Sequence, residues 1–306
     1  MRILLLGSNG QVGWELQRAL APLGNVTALS REGNGDFSGD LTQIEAIVAT
    51  MRRLAPNVIV NAAAHTAVDR AESELEKSSA INSSAPEVLA AEAKALGAWL
   101  VHYSTDYVFD GSGTRPWQEC DSPGPVNVYG RTKLDGERAI QQSGCRHLIF
   151  RTSWVYAARG TNFIRTMLRL SAERDNLRVI NDQYGAPTGA ELIADTTALA
   201  LRQSVAQENN CGLYHLAAKG ETTWFDYARH LISAARDAGW PVRTADDDIQ
   251  PITSKEFPTI AKRPENSRLD TSRVEATFRV KMPEWRIGVN RTLNEILACE
   301  LKGGRT

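Results

Sequence analysis

No run of apolar residues in this chain approaches the ~20 that cross a bilayer. The opening stretch Ile3–Leu6 is also too short for the core of a secretion signal, so neither export nor membrane insertion is expected. A block of basic charge is missing too. Thirty-five Lys and Arg face 36 Asp and Glu, for a net charge of −1. That balance speaks against a nucleic-acid polymer or an anionic membrane as the main partner. Cysteine is scarce and scattered, at 120, 145, 211 and 299, with no Cys-x-x-Cys pair. This excludes a disulfide scaffold and fits reduced thiols in a cytoplasmic protein. The five histidines fall at no metal-ligand spacing. Internal repeats and low-complexity tracts are absent. What is present is 306 residues at 42% hydrophobic content, enough core for one large or two modest domains.

The chain begins with a short apolar run, Arg2–Leu6, suited to a strand buried on both faces. It leads into Gly7-Ser8-Asn9-Gly10-Gln11-Val12-Gly13, and then into a helix with Val12, Leu16, Ala19 and Leu20 on one side. Strand, glycine turn and helix in this order predict a dinucleotide site, because glycines admit a pyrophosphate against the backbone and the helix start offers free N–H groups. The spacing is G-x-x-G-x-x-G. The next strand, Asn25–Leu29, ends in Ser30-Arg31-Glu32. Arg31 suits a ribose phosphate and hence NADPH, whereas Glu32 suits the bare ribose of NADH. Asp40 reads as the cap of the following helix. A third strand, residues 56–61, is followed by Ala62-Ala63-Ala64-His65-Thr66, small residues where a ligand can lie close to the backbone. His65 fits a structural as well as a catalytic role.

Strand-like and helix-like runs alternate from residue 2 to about 155, which predicts an α/β fold. The expected architecture is a Rossmann-type doubly wound parallel sheet over residues 1–155, holding NAD(P). A smaller, mixed α/β substrate domain is expected over 156–306, with part of 190–217 returning to the sheet. Helices are expected at 162–173, 191–207 and 224–238, and a strand at 212–216. Four prolines, at 241, 251, 258 and 264, mark 241–268 as irregular.

Tyr129 and Lys133 stand four residues apart, on one face of a helix. A phenol near its ordinary pKa of ~10 holds its proton too tightly for easy exchange at neutral pH, and an adjacent ammonium is expected to lower it. The strand at 98–104 ends in Ser104-Thr105-Asp106, where Thr105 can donate to a substrate carbonyl and Asp106 can bind a sugar hydroxyl. Alone, this cluster also reads as a turn closing a strand.

Taken in order, Gly7–Gly13, Ser104-Thr105-Asp106 and Tyr129/Lys133 resemble the extended short-chain dehydrogenase/reductase family. Longer strings, including Ala63–Asp69, Ser104–Phe109, Asn127–Gly130, Phe150–Tyr156, Asn181–Thr188 and Arg263–Leu269, resemble the branch of that family that reduces the 4-keto group of dTDP-4-dehydro-L-rhamnose. The resemblance runs over nearly the whole chain. It implies hydride transfer from NADPH or NADH with Thr105, Tyr129 and Lys133 as the catalytic group. The implied cofactor contacts are Gly10, Gln11, Val12, Asp40, Leu41, Ala64, His65, Thr66, Tyr103 and Lys133; to these the residues' own pattern adds Gly7 and Gly13 of the glycine turn, Ser30, where the family often has an acidic residue, Arg31, and Tyr129. The implied substrate contacts are Thr105, Asp106 and Trp154; Arg263 and Arg268 are cationic candidates for the diphosphate, or equally for surface ion pairs. Trp154 reads as a stacking surface for the sugar or as a pocket wall. Relatives that dimerise around magnesium suggest Glu15, Glu191 and Glu295 as ligands, and a homodimer. Where a dehydratase resembling this fold carries glutamate, after the Thr-Asp pair, this chain has Tyr107. An epimerase, a dehydratase, or a regulatory subunit like that of methionine adenosyltransferase are the alternatives.

Overall fold

The computed structural model describes residues 1–207 and 209–303. Its centre is a six-stranded sheet made of β1 (Arg2–Leu6), β2 (Asn25–Leu29), β3 (Val58–Asn61), β4 (Trp99–Thr105), β5 (Arg146–Thr152) and an outer strand, Gly212–His215. The order across the sheet is Gly212–His215, β5, β4, β3, β1, β2, and every pair is parallel. Parallel neighbours require crossovers, which here are helices on both faces. They include α1 (Gln11–Leu20), α2 (Ile44–Leu54) and the helices Ala85–Leu96 and Val128–Ser143.

Side chains alternate along each strand, so both faces are apolar. Ile3, Leu5, Val58, Val60, Val101 and Phe150 pack with Leu16 and Leu20 of α1 and with Ile193 and Leu201 of helix Ala190–Gln207. Leu4, Leu6, Ile59, Leu100 and Ile149 pack on the other face with Ile47, Met51, Leu89 and Ala93. Each fully buried side chain of this size contributes roughly 1.5–3 kcal/mol. This explains why the strands read as unbroken apolar runs.

The chain passes from β1 to β2 on one side and then to β3 on the other. The crevice this reversal opens, at the carboxyl ends of β1, β3 and β4, is where ligands sit in such sheets. Residues 30–43, after β2, form turns and one Asn34–Phe37 bridge. Asp40 does not cap α2, contrary to expectation. That helix starts at Ile44 behind Gln43, and Asp40 Oδ1 instead accepts from the backbone N–H (3.0 Å) and hydroxyl (2.8 Å) of Thr42, a tight local turn that Asp favours.

Beyond β5 a second core forms around Ile164, Leu168, Tyr227, Leu231, Trp285 and Leu293, contributed by helices Phe163–Glu173, Trp224–Asp237 and Trp285–Gly303. The stretch 241–268 is less irregular than its prolines suggest. Ile249–Ile252 pairs in parallel with Leu177–Ile180, in a two-stranded ribbon where both strands are edges. Pro251 is exposed there, and an edge tolerates its missing N–H. No helix among the described residues is long and apolar enough to cross a membrane.

Candidate active site

The glycine turn is built by close approach. Gly7 has φ +83°, and a Cβ on it would lie 2.6 Å from Ala63 N. A Cβ on Gly13 would lie 2.0 Å from Gly7 O. The turn therefore folds onto α1 only without side chains at these points. Gly10 opens α1 with no side-chain cap, which leaves the first-turn N–H groups facing a cleft of about 960 Å³.

Most of the residues singled out by sequence meet in this cleft. Gly7, Gly10, Gln11, Val12, Arg31, Asp40, Leu41, Ala64, His65, Thr66 and Tyr103 line it, together with Thr105, Asp106, Tyr129, Lys133, Trp154 and Arg263. Gly13 stands behind the turn. Ser30 does not line the cleft; its hydroxyl donates to Glu32 at 2.6 Å. Arg268 lies elsewhere too. It is held by Glu221 and by Asn266 Oδ1 (3.1 Å) and stacks over Tyr184 at 4.3 Å.

Thr105 ends β4. Its Oγ1 accepts from the Tyr107 backbone N–H (3.1 Å) and donates to Asp106 Oδ1 (3.2 Å). Tyr129 is in the first turn of helix Val128–Ser143, where Asn127 caps the helix by accepting from the Gly130 N–H at 2.8 Å. The phenol is hydrogen-bonded to Thr105. Lys133, one turn on, is 2% exposed. Its Nζ donates to the Tyr103 carbonyl at 2.6 Å and meets His102 Nε2 at 3.2 Å.

The expected lowering of Tyr129 by Lys133 is not what this geometry gives. Burial pushes Tyr129 up to about 12, the Thr105 hydrogen bond pulls it back, and the nearby Asp106 charge adds to the rise. Burial in turn pushes Lys133 down to about 8, because a dry ammonium loses its hydration. Burial likewise raises Asp106 to about 7, against hydrogen bonds from Ser267 and Thr105.

Among the described residues, four buried polar atoms without partners belong to side chains that border this one cleft: His65 Nδ1, Ser104 Oγ, Asp106 Oδ2 and Thr152 Oγ1. Each unpaired atom costs about 1–3 kcal/mol, so their convergence fits a polar ligand. With the free helix N-terminus, the donor set fits a dinucleotide. His65 is held on its other side, its Nε2 2.9 Å from Glu74 Oε2 and its backbone N–H donating to Asn82 Oδ1 at 2.9 Å.

Trp154 sits in the left-handed region at φ +48°. Its ring is already stacked on Trp224, centroids 3.6 Å apart, with Gly185 against it. Of the two roles open to it, this packing favours the pocket wall. Trp224 and Phe163 line the cleft with it, and neither was read as a site residue, because a helical aromatic in sequence looks like core. Arg70 and Lys77 were missed for the opposite reason. They look like solvated helix charges, yet both border the cleft, each paired with Glu74.

The proposed metal ligands behave differently. Among the described residues no group of three His, Cys, Asp or Glu could hold an ion. Glu15 and Glu295 nevertheless act on Glu191, which burial and these like charges raise while Arg291, 3.4 Å away, opposes.

Comparison with known proteins gives this arrangement a lineage. The family described as the RmlD substrate binding domain matches residues 1–298. The dTDP-4-dehydrorhamnose reductase of Escherichia coli K12 is 54% identical over 296 residues, covering 97% of this chain and 98% of the relative. A crystal structure of the Clostridium acetobutylicum dTDP-4-dehydrorhamnose reductase superimposes with a TM-score of 0.86 at 35% identity, covering 97% of this chain and 99% of that one. The Bacillus anthracis dTDP-4-dehydrorhamnose reductase, in complex with NADP, gives 0.85 at 30% identity, covering 96% and 99%. With a match along nearly its whole length and relatives this similar, the chain belongs to the dTDP-4-dehydrorhamnose reductase family.

Proposed function

We propose that this chain reduces the 4-keto group of dTDP-4-dehydro-L-rhamnose to give dTDP-L-rhamnose, using NADPH or NADH. The observation that carries the reading is the convergence of Thr105, Tyr129 and Lys133 on one cleft that also receives the open N-terminus of α1. The nicotinamide supplies the hydride when bound. The chain's own residues do the rest. The first turn of α1 binds the pyrophosphate, Thr105 polarises the ketone, Tyr129 gives its proton to the oxygen as charge develops there, and Lys133 holds the ribose. A phenol held near 12 parts reluctantly with its proton. The positive charge that assists it has to arise within the assembled complex, since the chain alone leaves Lys133 turned towards Tyr103 and His102.

Asp106, with Oδ2 unpartnered, binds a sugar hydroxyl, and Arg263 faces the diphosphate. Arg263 must then be shared with Asp69, which it holds bidentately at 2.8 and 3.2 Å. Tyr107, with its ring 5.8 Å from that of Tyr129, stands where a dehydratase would need a carboxylate, which favours simple reduction. The division proposed is an NAD(P)-binding part, residues 1–155 with helix Ala190–Gln207 packed on the sheet beside α1 and Gly212–His215 paired to β5, and a substrate part from the remainder of 156–306. A cytoplasmic location is proposed with it, on the four free cysteines.

Two facing trios of Glu15, Glu191 and Glu295 would repel unless a divalent cation lay between them, so magnesium enters the proposal as a bridge within a homodimer. Sedimentation with magnesium and then with EDTA tests this; a mass unaffected by either rejects it. The activity is tested by following NADPH and NADH oxidation with dTDP-4-dehydrorhamnose and identifying dTDP-L-rhamnose as the product. Cofactor oxidation without that product, or none, overturns the reading.

A further inference from the structure

Beneath the catalytic residues runs a buried row of polar side chains, Asn61 at the end of β3, His102 in β4 and Lys133 on helix Val128–Ser143, of which the first two take no part in the chemistry described so far. The first two are 1% exposed and the third 2%. Asn61 Nδ2 lies 3.2 Å from His102 Nδ1, and His102 Nε2 lies 3.2 Å from Lys133 Nζ.

The orientation of the Asn61 amide is fixed by the backbone, because its Oδ1 accepts the Ala63 N–H at 3.2 Å. Turning the amide over would set an NH2 group against that N–H. The NH2 therefore faces His102 Nδ1, which must accept. A neutral imidazole accepts at one nitrogen and donates at the other, so the ring proton lies on Nε2 and points at Lys133. An amine can accept that proton's hydrogen bond; an ammonium cannot. Lys133 Nζ also donates to the Tyr103 carbonyl at 2.6 Å, which a neutral amine can still do.

We propose that Asn61 and His102 are positioning residues that lower the proton affinity of Lys133 by presenting an N–H to its nitrogen. This rests on the proposed role of Lys133 beside Tyr129. It deepens that role by making the lysine a proton donor poised near neutrality, one helical turn from the phenol that must be recharged after each turnover.

The other groups around the row do not supply this effect. On the lysine's own helix, Tyr129 precedes it and Glu137 follows; the Glu137 charge favours the ammonium. From β5, Arg151 is bound to Glu137 at 2.9 and 2.6 Å and offsets it. From β4 come the Tyr103 carbonyl and His102 itself, whose protonation burial disfavours. Asp106 acts on Tyr129 instead.

Histidine labelled with 15N reads the tautomer of His102 directly, its signal assigned by loss in His102→Gln. The unaltered chain at alkaline pH is expected to show Nε2–H; Nδ1–H overturns the proposal. Asn61→Asp would accept from Nδ1–H, reverse the tautomer and favour the ammonium. Asn61→Ala would merely release the ring. The alkaline limb of kcat/KM is expected to rise by about one pH unit in Asn61→Asp and by about half a unit in Asn61→Ala. A limb unmoved in either folded variant overturns the proposal, since a merely structural role would change rate or melting without moving it. The tautomer measurement needs no turnover. Failure of the Tyr129 reading, seen as an active Tyr129→Phe, is thus distinguishable from failure of this one.

Discussion

The cleft has an inner wall and a mouth made from similar polar residues in opposite surroundings. On the inner wall Thr105 is 5% exposed, and Asp106 and Lys133 are 2%. At the mouth the Arg31 side chain is 65% exposed and that of Arg70 66%. The inner residues are held by capping, backbone and side-chain hydrogen bonds, and burial raises the proton affinity of Asp106 and lowers that of Lys133. The mouth residues are paired with carboxylates in water, Arg31 with Asp40 at 3.3 Å, where such pairs contribute only about 0–1 kcal/mol. The inner wall is therefore suited to chemistry, and the mouth to selecting which ligand enters.

The largest expected effect lies on the inner wall. Tyr129→Phe removes one oxygen and is expected to lower kcat by roughly 10²–10⁴-fold, with cofactor affinity nearly unchanged in a fluorescence titration. Near-normal turnover would mean that the wall does not supply the proton.

Asp106→Asn separates burial from chemistry. Unfolded, this carboxyl ionises at the ordinary aspartate value; folded, it holds its proton to about 7. Between those values the folded state binds the extra proton, so stability falls as pH rises through the window, and the full penalty is present above about 7. The amide that replaces the carboxyl does not titrate. Melting of the variant against the parent should show a gain of up to about 4 kcal/mol at alkaline pH, and almost none near the ordinary aspartate value. An equal gain at both ends of the window would mean that Asp106 is solvated like the mouth. The variant's substrate KM should rise about tenfold through the lost hydrogen bond.

At the mouth, Arg31→Ala is expected to cut the NADPH-to-NADH ratio of kcat/KM by about tenfold, the loss of one charge-assisted phosphate contact. The effect should shrink with added salt. An unchanged ratio would assign the selection to another residue. The smallest effect belongs to Arg268→Ala, outside the cleft, where KM for the dTDP-sugar should change less than about twofold. A rise of about tenfold would place the guanidinium in the site after all.

Much of this contrast was legible in residue order. Gly7 to Gly13 after Arg2–Leu6, and Tyr129 four before Lys133, specify local geometry that any packing must respect, because a turn, a helix start and an i,i+4 face depend only on near neighbours. Trp224, Phe163, Arg70 and Lys77 were not legible. Each belongs to an ordinary amphipathic pattern, and only the approach of separate segments brings them to the cleft. For Arg268 the sequence left a diphosphate contact and a surface ion pair equally open. Its charge suited a diphosphate, but Glu221 and Asn266, which claim it, are set beside it by the fold.

By itself, then, the sequence determined the parallel α/β architecture, the glycine turn and the residues proposed to handle the proton, since apolar periodicity, glycine sterics and side-chain chemistry are local properties. Only the tertiary structure decided how those residues are tuned. The direction in which Tyr129, Lys133 and Asp106 shift depends on how deeply they are buried. What touches Lys133 depends on β3, β4 and one helix converging, and neither burial nor convergence is written in any stretch of neighbouring residues.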